Sequence, residues 1–205
     1  MSLLPFWIAA LLLAVTPGPG IAYVVARTVA GGRAEGLASC LGAALGGLLH
    51  VLAAALGLSL LIAQSAMAFG VLKYLGAAYL VYLGVRILLG RTAAPAVQTL
   101  PAQGARRALL EGVVVETLNV KTALFFLAFL PQFISPQAPP APQLVLLGCI
   151  CVALNTLADV MAVILAHRLL AAGTARAARA RLMTRVSGLT MVGLGAFLAL
   201  ARRET

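Results

Sequence analysis

Residues 37–63 read LASCLGAALGGLLHVLAAALGLSLLIA, an apolar run without a single Asp, Glu, Lys or Arg. A helix needs about 20 apolar residues to cross the hydrocarbon core of a bilayer, so this run is long enough to span one. A helix on the surface of a soluble protein would carry a charged or polar face, and this run has no charged residue with which to build it. The stretch therefore predicts a transmembrane helix.

The rest of the chain repeats this pattern. Hydrophobic residues make up 62% of the sequence and charged residues 10%, whereas a typical soluble domain has about 25% charged residues. The runs lack the alternation of barrel strands, so helices must satisfy the backbone in lipid. We therefore predict an all-α polytopic membrane protein, a single domain over 1–205 with six transmembrane helices. The other spans are predicted near 3–25, 67–89, 109–133, 143–166 and 183–201.

Positive charge alternates between the predicted loops. The loops after spans 1, 3 and 5 are basic, the first of them carrying Arg27, Arg33 and Glu35, and the loops after spans 2 and 4 are uncharged. The chain is thus predicted to be an inner-membrane protein. The positive-inside rule places its basic loops in the cytoplasm and both termini outside. The formal charge of +10 is explained by these loops, so it does not indicate nucleic-acid binding.

A linker rich in Ala and Pro, residues 91–108, divides the six spans into half-repeats at about 1–90 and 109–201. Because each half would hold three spans, two related halves would have opposite orientations in the membrane. Inverted repeats of this kind occur in many secondary transporters, with the substrate site at the midplane between the halves.

The first span is interrupted by Thr16-Pro17-Gly18-Pro19-Gly20. Each proline removes a backbone donor and clashes with the preceding turn. One interpretation is a kink that allows packing. Two prolines and two glycines exceed what a kink requires, so the sequence favours an unwound segment whose backbone carbonyls bind a solute.

The fourth span carries Glu116, Asn119 and Lys121. Ionisable residues inside a membrane helix are costly and indicate a functional site. A structural salt bridge is the alternative. On a straight helix, Asn119 and Lys121 would lie about 160° apart, so the helix must distort for the two to share a face.

The fifth span places Cys151, Asn155 and Asp159 on one face at intervals of four residues. A carboxyl group in lipid is either protonated or paired. Asp159 is thus a candidate for carrying a coupling proton, or for a permanent pair with Lys121 or a loop arginine.

No HExxH, P-loop, GxSxG or metal-ligand spacing occurs in the sequence. We therefore predict no enzymatic activity and no cofactor, and any transport must be secondary or passive.

Four segments together resemble the LysE/RhtB family of bacterial amino-acid exporters over nearly the whole chain. They are TPGP at 16–19, LKYLGAAYL at 72–80, LNVKTALFF at 118–126 and LPQF at 130–133. The family usually has Asn-Pro-Lys in the third of these segments, whereas this chain has Val120 in place of the proline. The sequence alone therefore leaves open whether the helix breaks there.

The resemblance implies export of amino acids or close derivatives, driven by the proton motive force. By analogy, Lys121 would sit near the substrate carboxylate or hold Asp159 in place, and Asp159 or Glu116 would carry the proton. The substrate would bind to the Asn119 amide and to the backbone carbonyls of the break in the first span. The residues of that break are Pro17, Gly18, Pro19 and Gly20.

Three other functions compete with amino-acid export. A scaffold or subunit of a larger complex would use the polar residues only for packing. A redox or metal carrier would use Cys149, Cys151 and His50. The third alternative is an exporter of another solute, such as a metal ion. The scarcity of acids makes a cation a poorer substrate and favours neutral amino acids, and the oligomeric state is left open.

Overall fold

The computed structural model describes residues 4–58, 66–89, 101–172, 189, 192–196 and 199–200. Every regular element in these ranges is helical, which confirms the all-α fold class. The helices Pro19–Gly57 and Pro140–Ala166 are long and apolar enough to cross a membrane, and the bent pair Ala105–Thr117 with Val120–Phe133 is a third candidate. The predicted span at 183–201 lies mostly outside the described residues, so six spans and the inverted repeat stay predictions.

Six α-helices make up most of the described part of the chain. The third and last of them agree closely with the predicted spans at 67–89 and 143–166, and the fourth begins inside the predicted linker 91–108. A π-helical turn (Phe125–Phe129) and a 3₁₀ turn (Leu130–Phe133) follow the fifth. The helices are α1 (Leu4–Val15), α2 (Pro19–Ala53), α3 (Ala66–Leu88), α4 (Ala105–Thr117), α5 (Val120–Leu124) and α6 (Pro140–Ala172).

Helix α2 reverses direction at Gly32. There φ is 74° and ψ is −165°, a conformation that favours glycine. A Cβ built on Gly36 would lie 2.3 Å from Thr28 Oγ1, although residues eight apart in a straight helix are separated by about 12 Å along its axis. The two parts of α2 therefore fold back on each other.

This reversal replaces the loop predicted between the first two spans. Arg27 and Glu35 lie in helical turns on either side of Gly32 and are buried. They form an ion pair with an Nη1–Oε2 distance of 3.4 Å. The predicted loop is thus a tight helical reversal, and these two charges can be buried because each has the other as its partner.

Small residues allow α2 and α4 to pack closely. A Cβ on Gly42 would lie 2.1 Å from Leu109 O, and one on Gly46 would lie 2.8 Å from Val113 O. Only glycine permits this approach of one helix backbone to the other. The resulting contact brings α2 against the polar end of α4.

The apolar core lies where α1 meets the turns that follow α5. The rings of Phe125 and Phe129 stack with centroids 4.9 Å apart, and Phe6 meets Phe133 edge-on at 5.6 Å. Large buried aromatic rings dominate the energetics of such contacts. This packing holds the end of α1 beside α5, where the polar residues lie.

Candidate functional site

The first helix break covers residues 16–18, between α1 and α2. Pro17 has no N–H to donate to Leu13 O, four residues before it. The ammonium group of Lys121 supplies the missing donors, since its Nζ lies 3.1 Å from Leu13 O and 2.9 Å from Thr16 O. A single buried side chain from the second half of the chain thus satisfies the end of α1.

The second break lies at Leu118 and Asn119, and the helices on either side are bent by 44°. Asn119 caps α5, because its Oδ1 accepts a hydrogen bond from the backbone N–H of Lys121 at 3.1 Å. Asparagine is among the preferred residues for this position. The helix therefore breaks although Val120 stands where the family usually has proline.

The bend gathers polar side chains around Glu116. Thr122 Oγ1 donates to Oε1 at 2.6 Å, and Asn119 Nδ2 donates to Oε2 at 2.9 Å. A Cβ on Gly20 would lie 2.7 Å from Oε2, so a glycine is needed where α2 passes this carboxylate. His50 contributes to the packing, with Nε2 2.9 Å from the backbone oxygen of Glu116.

A polar cavity lies between the two breaks and α6. Its volume is about 20 Å³, which is room for one water molecule. Residues from both halves of the chain line it: Ala14, Gly20, Ile21, Ala43, Ala44, Gly47, Glu116, Asn119, Lys121, Thr122, Val152, Asn155, Thr156 and Asp159.

Three charged side chains line this cavity, and they differ in their partners. Lys121 has the two carbonyls at the end of α1, and Glu116 has Asn119 and Thr122. Asp159 is only 6% exposed and makes no hydrogen bond or ion pair within the described residues. Of the two carboxyl groups in the cavity, Asp159 is thus the one without a hydrogen-bond partner in the part of the chain that the structure describes.

The structure brings most of the predicted site residues together. Gly20, Glu116, Asn119, Lys121 and Asp159 line one cavity. The remaining three, Pro17, Gly18 and Pro19, form the adjoining break, and a Cβ on Gly18 would lie 3.2 Å from the Lys121 side chain.

Two cavity residues, Thr122 and Thr156, escaped the sequence analysis. Thr122 follows Glu116 by six residues and would point about 120° away from it on a straight helix. Only the bend at Asn119 brings the two into contact. Thr156 precedes Asp159 by three residues, and that helical spacing was a signal that could have identified it.

A second polar group, the Arg27–Glu35 cluster, lies at the N-terminus of α4. Glu35 Oε1 accepts hydrogen bonds from the backbone N–H groups of Gln103 and Gly104, both at 2.7 Å. Arg27 Nη1 donates to Pro101 O at 3.2 Å and contacts Glu35. A carboxylate at this position is favoured by the positive end of the helix dipole.

Tyr23 extends the contact between α2 and α4. Its hydroxyl donates to Ala108 O at 3.1 Å and to Glu111 Oε2 at 3.0 Å. Gly104 and Glu116 are about 18 Å apart along the helix axis, so these contacts lie well away from the cavity. They join the helices at the end of α4 that the loop charges predict to be cytoplasmic.

Comparisons with known proteins agree with this architecture. The LysE type translocator family matches residues 11–202. An uncharacterised membrane protein of Vibrio cholerae is 32% identical over 96% of this chain and 97% of its own length. A homoserine/homoserine lactone efflux protein of Salmonella typhimurium is 29% identical over the same shares. A leucine efflux protein of Salmonella choleraesuis is 32% identical over 67% of each chain. No solved structure matches the chain. The chain therefore belongs to the LysE family of translocators, and it is a membrane transporter and not an enzyme.

Proposed function

We propose that this protein exports amino acids or close derivatives from the cytoplasm in exchange for protons. The observation that carries the proposal is the cavity where the two broken helices meet α6, lined by Glu116, Lys121 and Asp159. Charged groups facing a cavity inside the membrane are characteristic of substrate and proton pathways. Relatives named for the efflux of homoserine, homoserine lactone and leucine support an amino-acid substrate.

The substrate binds at the two breaks. Interrupted helices present backbone groups to a solute at membrane depth, so we assign this role to the segment Pro17–Gly20 and to the Asn119 amide. Lys121 has three N–H groups, two of which serve the end of α1, and the third is available to a substrate carboxylate. The cavity holds only about one water, so α6 must move away from the breaks for a substrate to bind.

The proton is carried by Asp159, with Glu116 beside it. Both carboxylate oxygens of Glu116 already accept hydrogen bonds. Asp159 has no such partner within the described residues, so its protonation state can change without breaking a hydrogen-bond network. Asp159 is therefore the better candidate for the coupling step.

The protein spans the bacterial inner membrane six times as two inverted halves, with both termini outside. The first helix of each half is broken, at residues 16–18 and 118–119, and Lys121 links the two breaks. In this orientation the Arg27–Glu35 cluster lies on the cytoplasmic side of the cavity and closes it.

Efflux from cells tests the proposal. The protein is expressed in a host without its own exporters, the cells are loaded with a mixture of dipeptides, and every amino acid appearing outside is quantified. We expect one or a few to exceed the empty-vector control and to fall when the proton gradient is collapsed. The Asp159→Asn variant should lose the dependence on the gradient. No enrichment of any amino acid would contradict the proposal, and full proton-coupled efflux by both Asp159→Asn and Glu116→Gln would contradict the coupling assignment.

A further inference from the structure

Asp159 is a buried carboxyl group that lines the cavity and has no hydrogen-bond or ion-pair partner within the described residues. Its 6% exposure means that water contributes little to stabilising a charge there. An ionised carboxylate in such a place is costly unless a cation pairs with it. Lys121 is one cation at this cavity, but it also acts on Glu116 and its donors serve the end of α1, so an ionised Asp159 is left short of positive charge.

The charges around the cavity indicate how many cations it takes. The charged groups that act electrostatically on Asp159 are Glu116 and Lys121. Cys40 on α2 also faces it, and α1 carries no titratable side chain. With both acids ionised and Lys121 protonated, the cavity has a net charge of −1, which one monovalent cation neutralises.

The same face of α6 offers acceptors that fit an ammonium group. Asn155 and Thr156 line the cavity one turn before Asp159. The Asn155 side chain makes no hydrogen bond within the described residues, and the Thr156 hydroxyl donates to Val152 O at 2.8 Å, which leaves its lone pairs available. An ammonium group has three N–H donors, and these three side chains supply three oxygen acceptors.

We propose that Asp159, with Asn155 and Thr156, binds the ammonium group of the exported compound, and that a proton replaces this group on Asp159 after release. The inference rests on the proposed export function and adds the chemical feature that a substrate must carry. That feature is an unmodified amine. A carboxylate is secondary, because Lys121 has only one N–H group left to offer it.

Competition in liposomes tests this inference. The full chain is reconstituted, and the transport of radiolabelled leucine and homoserine is measured with two competitors of each, the carboxyl amide and the N-acetyl derivative. We expect the amide to inhibit at a concentration at least tenfold lower than the N-acetyl form. Inhibition by the amide should weaken as the pH falls, because protons then occupy Asp159.

Variants separate binding from a structural role. Asp159→Glu should keep the preference for the amide, whereas Asp159→Asn should lose both the preference and its pH dependence. Thermal unfolding of the purified Asp159→Asn protein, followed with and without leucinamide, shows whether the variant is folded and whether the ligand still protects it.

The outcomes distinguish the two proposals. Equal inhibition by the two derivatives, while leucine or homoserine is transported, would overturn the role of Asp159 and leave the export function intact. A folded Asp159→Asn protein that retains the preference for the amide would do the same. If no amino acid leaves the cells in the efflux assay and leucinamide gives no thermal protection, the inference and the amino-acid export on which it rests both fail.

Discussion

Replacing Lys121 with methionine tests whether this side chain holds the two broken helices together. The change keeps an unbranched side chain that is one atom shorter, and it removes the donors to Leu13 O and Thr16 O. Interhelical hydrogen bonds in membrane proteins contribute about 0.6 kcal/mol on average and up to about 1.7 kcal/mol. Two of them amount to about 1.2–3.4 kcal/mol. The relief of no longer burying an ammonium group is offset by the loss of the cation that acts on Glu116 and Asp159.

Thermal unfolding of the purified protein in detergent measures this loss. For a chain of this length, 1 kcal/mol lowers Tm by about 2–4 °C, so Lys121→Met should lower it by about 2–14 °C. The control is Arg107→Met, whose side chain is 70% exposed and whose removal should cost less than about 0.5 kcal/mol. If Lys121→Met abolished transport with an unchanged Tm, Lys121 would act on the substrate alone, and the reasoning about the helix end would be refuted.

Three further variants probe other parts of the structure. Gly42→Ala places a Cβ 2.1 Å from a backbone oxygen of α4, so it should cost about 1–3 kcal/mol in thermal unfolding. At the control position, Gly57→Ala, the new Cβ meets no atom of a packed neighbour within 4 Å among the described residues, so Tm should stay unchanged. Glu35→Gln removes the ion-pair partner of the buried Arg27 and should loosen this cluster. Maleimide labelling of Cys40, which is 2% exposed in the structure, should then rise at least about tenfold in a protein whose other two cysteines are replaced by alanine. Unchanged labelling would show that the cluster does not close the cytoplasmic side. Thr122→Val removes a hydrogen bond to the Glu116 carboxylate and should slow efflux about tenfold. The control Thr122→Ser keeps the hydroxyl and should stay near the original rate. Equal rates for the two variants would contradict a role for the hydroxyl.

The membrane class and several helices could be predicted from composition alone. The apolar runs at 67–89 and 143–166 correspond to α3 and α6 because a span must be long and predominantly apolar whatever it packs against. The buried ion pair of Arg27 and Glu35 could not be predicted in this way, since it depends on the reversal at Gly32 and on contacts with residues near 101–104.

The site was predictable where residue chemistry alone indicates function. Glu116, Lys121 and Asp159 were identified because charge inside a membrane is costly. Their arrangement was not predictable, because helical spacing no longer gives the direction of a side chain once the helix is interrupted. Thr122 reaches Glu116 only across the bend, and the carbonyl partners of Lys121 lie more than 100 residues earlier in the chain.

The bend beside Asn119 has a consequence for how this segment can evolve. Val120 occupies the first turn of α5, a position where proline is well tolerated, and the Asn119 side chain already starts that helix. A proline at position 120 and an asparagine cap at position 119 can thus each start α5 at this bend. Because this chain has the bend with valine at position 120, the residue at this position is free to vary as long as Asn119 keeps its cap.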